Sequence, residues 1–271
     1  MEQYRKFTFL LIAGLVVITM GCSKFETVNE TGIRDKFLVD KIYDNQNNLV
    51  AEYFYDKDNK LIKKVVTGSN PGASAEWGSY TDEFVYKNGR VSKVIRDQKY
   101  AIVSNIEYDS KGNLIKADGQ ETFRYRYEKG RIAGFLWDTS DASLFYTDTI
   151  VYDKSGNVAQ YVIISPEVNG FWQPIPGTTK RDVSYFYYDN NPKPNFGLDY
   201  LFVYDPLPFS NQPELQRLLS KNNFVVGIGN RAGGSSWIYT YNENGLPSTI
   251  DVRWGSYASG FLLRISYKPI K

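Results

Sequence analysis

The sequence predicts an all-β fold: an antiparallel meander of repeated hairpins forming one large curved sheet, able to roll into an open barrel. Three observations carry this. A short unit recurs along the chain, in which an aromatic-ended apolar run meets a polar turn and a second apolar run follows. Beside the turns, side chains alternate with period two: Phe123, Tyr125 and Tyr127 share one face, Thr122, Arg124 and Arg126 the other. That is the signature of a strand wet on one side. The 271 residues also include 22 Tyr, 16 Phe and 5 Trp, types that suit pleated, half-buried surfaces.

The unit is plainest at Tyr108-Asp109-Ser110-Lys111-Gly112-Asn113-Leu114. The aromatic closing the first arm is Tyr43, Tyr55, Tyr86, Tyr108, Tyr127, Tyr152 or Tyr241; the aliphatic opening the second is Leu49, Leu61, Val91, Leu114, Ile132, Val158 or Leu246. Four gaps (44–48, 56–60, 109–113 and 153–157) open on Asp, and three shorter ones read Lys-Asn-Gly-Arg, Glu-Lys-Gly-Arg and Asn-Glu-Asn-Gly. Asp or Asn after the Tyr can bond its own backbone two residues on. A late Gly or Asn supplies the positive φ that short hairpin loops require. Asp109 and its counterparts therefore read as turn residues, not as ligands or catalytic acids.

In chain order, Arg5 and Lys6 precede an apolar run over residues 7–20, followed by Gly21-Cys22-Ser23. A basic start and a short apolar run read as an export signal, too short and too early for a membrane span. The segment resembles a bacterial lipoprotein signal, in which the cysteine after a small residue is lipidated and becomes the new N-terminus. Gly21 and Cys22 fit those two positions, while Thr19 stands where that pattern usually carries Leu. Cys22 is the only cysteine, and acyl chains on it would hold the protein at a membrane, each buried CH₂ contributing ~0.8 kcal/mol. Residues 1–21 are thus expected to be a signal peptide, 22–36 a tether and 37–271 a single β domain. Connections without periodicity fall at 68–79, 138–143 and 165–179, the last with three prolines. One helix is expected at 213–220, with Pro213 in its first turn and Leu215, Leu218 and Leu219 as an apolar stripe that lies on the sheet or plugs one end. Strands resume at 224–228, 236–241, 246–252 and 261–267.

The composition excludes several chemistries. Histidine is absent, which removes the commonest general base and transition-metal ligand. With Cys22 committed to lipid, a thiol nucleophile goes too. The charges nearly balance, 32 basic against 30 acidic, which argues against a nucleic-acid partner. The sequence calls for no cofactor and no metal. Asp56-Lys57-Asp58-Asn59-Lys60 opens like a calcium loop, but Leu61 stands where the glycine belongs and Thr67 where an acidic ligand does.

Tyr108–Leu114 and Tyr152–Val158 resemble the YD repeats of RHS-type proteins, which form extended β shells. The second half is more particular. Tyr188-Asp-Asn-Asn-Pro-Lys-Pro-Asn195, Leu218-Leu-Ser-Lys-Asn-Asn223 and Tyr239-Thr-Tyr-Asn-Glu-Asn-Gly-Leu-Pro247 together resemble a domain of unknown function common in Bacteroidota lipoproteins. That resemblance, from about Lys41 onward, implies an exported, lipid-anchored protein of the outer membrane and brings no catalytic residue.

The candidate ligand-binding residues are Trp77, Phe171 and Trp172, aromatics in loops beside Gly and Pro, where burial is hard to arrange. Exposed aromatic faces stack on sugars or on partner surfaces. Trp137, Trp237 and Trp254 read instead as sheet packing. The expected function is a non-catalytic envelope lipoprotein with a binding or structural role, its partner a glycan or another envelope protein. Two alternatives stand beside it. A carboxylate-based glycoside hydrolase needs two acids in one cleft, with Glu83, Glu107 and Asp148 in strand-like contexts. A lipid or lipoprotein carrier needs a concave apolar sheet face.

Overall fold

The computed structural model describes residues 33–67, 78–97, 102–118, 122–138, 146–167, 169–170, 175, 177–198, 207, 215–229, 235–254 and 260–270. After a 3-10 turn at Ile33–Lys36 come eight strands: β1 (Phe37–Tyr43), β2 (Leu49–Tyr55), β3 (Leu61–Val66), β4 (Tyr80–Lys87), β5 (Arg90–Asp97), β6 (Ile102–Tyr108), β7 (Leu114–Asp118) and β8 (Thr122–Glu128). Then follow β9 (Arg131–Asp138), β10 (Tyr146–Tyr152), β11 (Val158–Ser165), β12 (Lys180–Pro192), the helix α1 (Leu215–Leu219), β13 (Asn222–Ile228), β14 (Ser235–Tyr241), β15 (Pro247–Trp254) and β16 (Gly260–Pro269). Each strand pairs antiparallel with its sequence neighbours, and β1 pairs with β16, Phe37 opposite Pro269 and Ile42 opposite Ile265. The large curved sheet expected from the sequence is thus a closed barrel, which leaves no unpaired edge.

The turns explain the repeat. One carboxylate oxygen of Asp44, Asp56 or Asp109 accepts the N–H groups two and four residues on, at 2.8–2.9 Å. The residue that must turn left-handed is Asn47, Asn59, Gly112 or Gly156, all at positive φ. Asn48 and Asn113 donate their amides to the second carboxylate oxygen of Asp44 and Asp109. These bonds, the asparagine amide foremost, hold both carboxyls below the usual carboxylate range.

Asn88-Gly89 and Lys129-Gly130 are two-residue loops with both members at positive φ, the arrangement of a type I′ turn. Lys129 has no short polar side chain to favour that conformation. Lys129→Asn is expected to stabilise the protein by about 0.5–1 kcal/mol, read as a higher urea midpoint at unchanged slope. The loop at Tyr241 corrects the grouping by gap length. Asn242 accepts from the N–H groups of Asn244 and Leu246, and Tyr241 pairs with Pro247, so this turn has the Asp109 geometry with Leu246 in the place of Asn113.

Inward side chains fill the barrel: Val39, Ile42, Val50, Leu61, Val91, Val158 and Leu263 are fully buried. Within this apolar filling lies one ionic row. Lys64, Asp82 and Arg96 stand opposite one another on β3, β4 and β5. Asp82 takes Lys64 Nζ at 3.2 Å and Arg96 Nε at 2.7 Å, and the Arg96 guanidinium lies 4.1 Å from the Tyr80 ring centre.

The tyrosines ending the strands form a ring at one end. Each hydroxyl donates to the backbone carbonyl that opens the preceding strand: Tyr86 to Leu61, Tyr108 to Val91 and Tyr152 to Ile132, at 2.7–2.9 Å. Tyr55 reaches Val39, Tyr239 reaches Phe224 and Tyr267 reaches Pro247 in the same way. The basic residue just before three of these carbonyls covers the ring of the bonded tyrosine: Lys60 over Tyr86, Arg90 over Tyr108 and Arg131 over Tyr152. This accounts for Lys or Arg at the end of those gaps.

β12 runs on past Tyr188 to Pro192, with a register shift against β13 between the two. From there residues 193–198 strap across the barrel mouth. Asn195 O accepts Val39 N–H at 2.9 Å, and the Phe196 ring meets Tyr53 at 5.2 Å. Gly197 (φ +69°) is required here, because a Cβ would lie 3.1 Å from Asn59 O. The expected helix is one short turn, and it does plug this end. Lys193 Nζ caps it by donating to the carbonyls of Arg217 and Leu218. The backbone of Asn157 stays in its turn with Asp153, while its side-chain oxygen accepts the N–H groups of Lys221 and Asn222.

Candidate functional site

In a meander the connections alternate between the two ends of the barrel. One end carries the strap, the helix, most of the short turns and the outer ends of β1 and β16. The connections between β3 and β4, β11 and β12, and β15 and β16 join strands at the other, the loop end, as does the first turn at 44–48.

At the loop end lies an open cleft of about 440 Å³ lined by Asn45, Asp251, Arg253, Gly260, Phe261 and Leu262. The pairing of β15 with β16 builds it, with Asp251 opposite Leu262 and Arg253 opposite Gly260. Gly260 is obligatory, since a Cβ there would lie 2.3 Å from Val252 O. Two residues apart on one strand, Asp251 and Arg253 share a face. Arg253 Nε and Nη2 donate to Asp251 Oδ2 at 3.0 and 2.7 Å, and this bond raises the Arg253 pKa further. Asn45 is presented by the first turn, which Arg264 clamps by donating to Asp44 O and Asn47 Oδ1. The cleft thus offers guanidinium donors, a carboxylate and an amide beside Leu262, while Phe261, opposite the buried Val252, turns its ring to the core. Such a set suits a polyhydroxylated ligand, with hydroxyls to bond.

An apolar cavity of about 70 Å³ lies under the strap, between Phe196, Leu218, Phe224, Trp237 and Ile250. It is under half the ~150 Å³ that holds one benzene and does not take an acyl chain, so the lipid-carrier reading has no chamber there. The hydrolase reading fares no better among the described residues. Glu83 and Glu107 are exposed on the outer wall, Glu107 paired with Lys116 at 3.4 Å. Asp251 is the one described acid lining the cleft, and among the described residues no group of three metal-ligating side chains occurs.

Of the residues singled out in the sequence, Cys22, Trp77, Phe171 and Trp172 lie outside the described residues, as does the Asp148 side chain. Trp237 packs in the core as expected, edge-on to Phe224 at 5.9 Å; the side chains of Trp137 and Trp254 lie outside the described set. Asn45, Arg253 and Phe261 went unread in the sequence. Asp251-Val252-Arg253 is an ordinary alternating strand, and its link to Asn45 exists only once the barrel closes.

No known family and no curated protein matches the chain. Solved structures of similar shape include porin-like proteins from Bacteroides uniformis (13% identity, TM-score 0.48, covering 86% of this chain and 97% of that one) and Bacteroides vulgatus (16% identity, TM-score 0.42, 86% and 99%). A Photorhabdus luminescens Tc holotoxin pore is also similar (13% identity, TM-score 0.30), over 80% of this chain and 13% of that one. At these identities and scores the likenesses carry no inference about activity.

Proposed function

We propose that this protein is a non-catalytic lipoprotein of the bacterial outer membrane, anchored through Cys22, that binds a glycan at the loop end of its barrel. The cleft of Asn45, Asp251 and Arg253 carries the reading. It is polar, open and of the size of small-molecule sites, and it lies at the end away from Phe37, where the anchored chain enters the barrel. Trp77, Phe171 and Trp172 belong to connections whose flanking strands end on the same side, and as loop aromatics they are the proposed stacking residues.

The outer wall supports a barrel outside the lipid. Most strands have five to eight residues, whereas a bilayer-spanning strand needs about 9–11. Glu107, Lys116, Arg124 and Arg126 face outward on adjacent strands, where a spanning barrel carries an apolar band.

The test is a glycan array followed by tryptophan-fluorescence titration of the full chain with each responding polysaccharide. Arg253→Ala is expected to weaken binding at least tenfold with the melting temperature unchanged. Silence on every glycan would remove the glycan and leave a protein partner at this end. Anchoring is read separately, by metabolic labelling with an alkyne fatty acid: the label should appear on the wild type and be lost in Cys22→Ser.

A further inference from the structure

The outer wall of the barrel has two unlike halves. Over β5 to β8 it is charged, with Lys93, Glu107, Lys116, Arg124 and Arg126 facing out. Over β10 to β14 its exposed side chains are mostly apolar, with Arg181 opposite Ile164 near the loop end. Val151 stands opposite Gln160, Gln160 opposite Tyr185, and Tyr185 opposite Ile228, in one row across four strands. In the next row toward the strap, Tyr187 stands opposite Val226 and Val226 opposite Ser236. Tyr187 is 52% and Ile228 58% exposed, with Ile238 and Ile164 close behind. From Val183 to Tyr187 the outward face of β12 carries no charge.

We infer that this wall is the interface between two copies of the chain standing side by side. Its exposed tyrosines, isoleucines and Val151 present on the order of 500 Å² of apolar surface, given 150–250 Å² for one aromatic. An average partner in a stable complex buries about 800 Å², and homodimer interfaces are about 65% apolar, so the patch has the extent and composition of one half of a dimer. Charge favours a like partner. The full chain has 32 basic and 30 acidic residues, so two copies meet without net repulsion; Arg253 at the patch border is paired with Asp251, and Arg181 alone gives an anionic lipid surface little to hold. A two-fold axis parallel to the barrel brings the same patch together on both copies and keeps both strap ends on the same side. The orientation on the membrane rests on the lipid-anchored reading; the dimer itself rests on the wall alone. Where the anchor operates, confinement to one leaflet raises the effective concentration of the partner.

Sedimentation of the full chain in detergent micelles is expected to give a dimer. Ile228→Lys with Tyr187→Lys should give a monomer with an unchanged circular-dichroism melt, and Arg126→Asp on the charged wall should leave the dimer intact. Cys22 is the only native cysteine, so introduced thiols report cleanly: Ile228→Cys should cross-link copy to copy under mild oxidation, and Lys93→Cys should not. Run in a Cys22→Ser background as well, the cross-link separates failure of the dimer from failure of the anchor, which the fatty-acid label reads independently. A wild type that stays monomeric at every concentration overturns the inference. So does equal cross-linking from both walls, or a loss of vesicle binding in Ile228→Lys at unchanged mass.

Discussion

Asp82→Asn is expected to destabilise the barrel by about 3–5 kcal/mol, the largest effect of any single substitution considered. The carboxylate is fully buried between Lys64, also fully buried, and Arg96. Removing its charge leaves two cations facing each other inside an apolar filling. Breaking such a set costs more than the set contributes relative to an apolar replacement, because the stranded charge keeps its desolvation penalty. Urea unfolding followed by circular dichroism should show the loss as a lower midpoint. The half-exposed pair of Lys41 and Glu52, 3.1 Å apart on the outer wall, is the control: Glu52→Gln should cost less than about 1 kcal/mol. Equal losses at the two sites would show that Asp82 is not sealed from water.

The second large effect concerns the tyrosine ring and alkaline pH. Burial raises the pKa values of Tyr55, Tyr152 and Tyr267 far above the free phenol, and that of Tyr127 to about 12. In the unfolded chain these groups ionise near 10. Above that pH the folded state holds more protons than the unfolded one, so stability falls as pH rises. The contribution is complete below about pH 10 and is lost as pH climbs through the raised values. Titration at 295 nm should show the phenolate of these buried tyrosines forming cooperatively with unfolding, above pH 10. Replacing Tyr55, Tyr86 and Tyr108 together by Phe removes three hydroxyl-to-carbonyl bonds. At pH 8 the expected loss is about 3 kcal/mol, roughly 1 for each bond, and the alkaline decline should become shallower. An unchanged midpoint at pH 8 would mean that the hydroxyls are incidental to the ring.

Much of the fold was legible because the turn chemistry is local. Asp109, Gly112 and Asn113 lie within five residues, and their bonds can be anticipated from side-chain reach alone. The hydroxyls of Tyr86 and Tyr108 are different. Each bonds a carbonyl in the strand before its own, 25 and 17 residues upstream, so the sequence shows a recurring aromatic but not why it is Tyr rather than Phe. The stagger at Tyr239 and Tyr241 was hidden for the same reason. Tyr239 takes the ring position, and Tyr241 donates instead to Asp189. Closure was beyond reach, since nothing in the 37–43 segment marks its partner as 264–269. The cleft depends on that closure, because Asn45 meets Asp251 and Arg253 only when β1 and β16 pair.

That pairing also sets a schedule. Ser266 Oγ accepts from Lys41 N–H across 225 residues of chain, so β1 has no partner on one side until β16 has been made. A nascent chain would expose two growing sheet edges throughout synthesis, a state prone to edge-to-edge aggregation. A barrel whose first strand waits for its last is suited to being kept unfolded until the whole polypeptide has crossed a membrane, and then sealed in one final docking step.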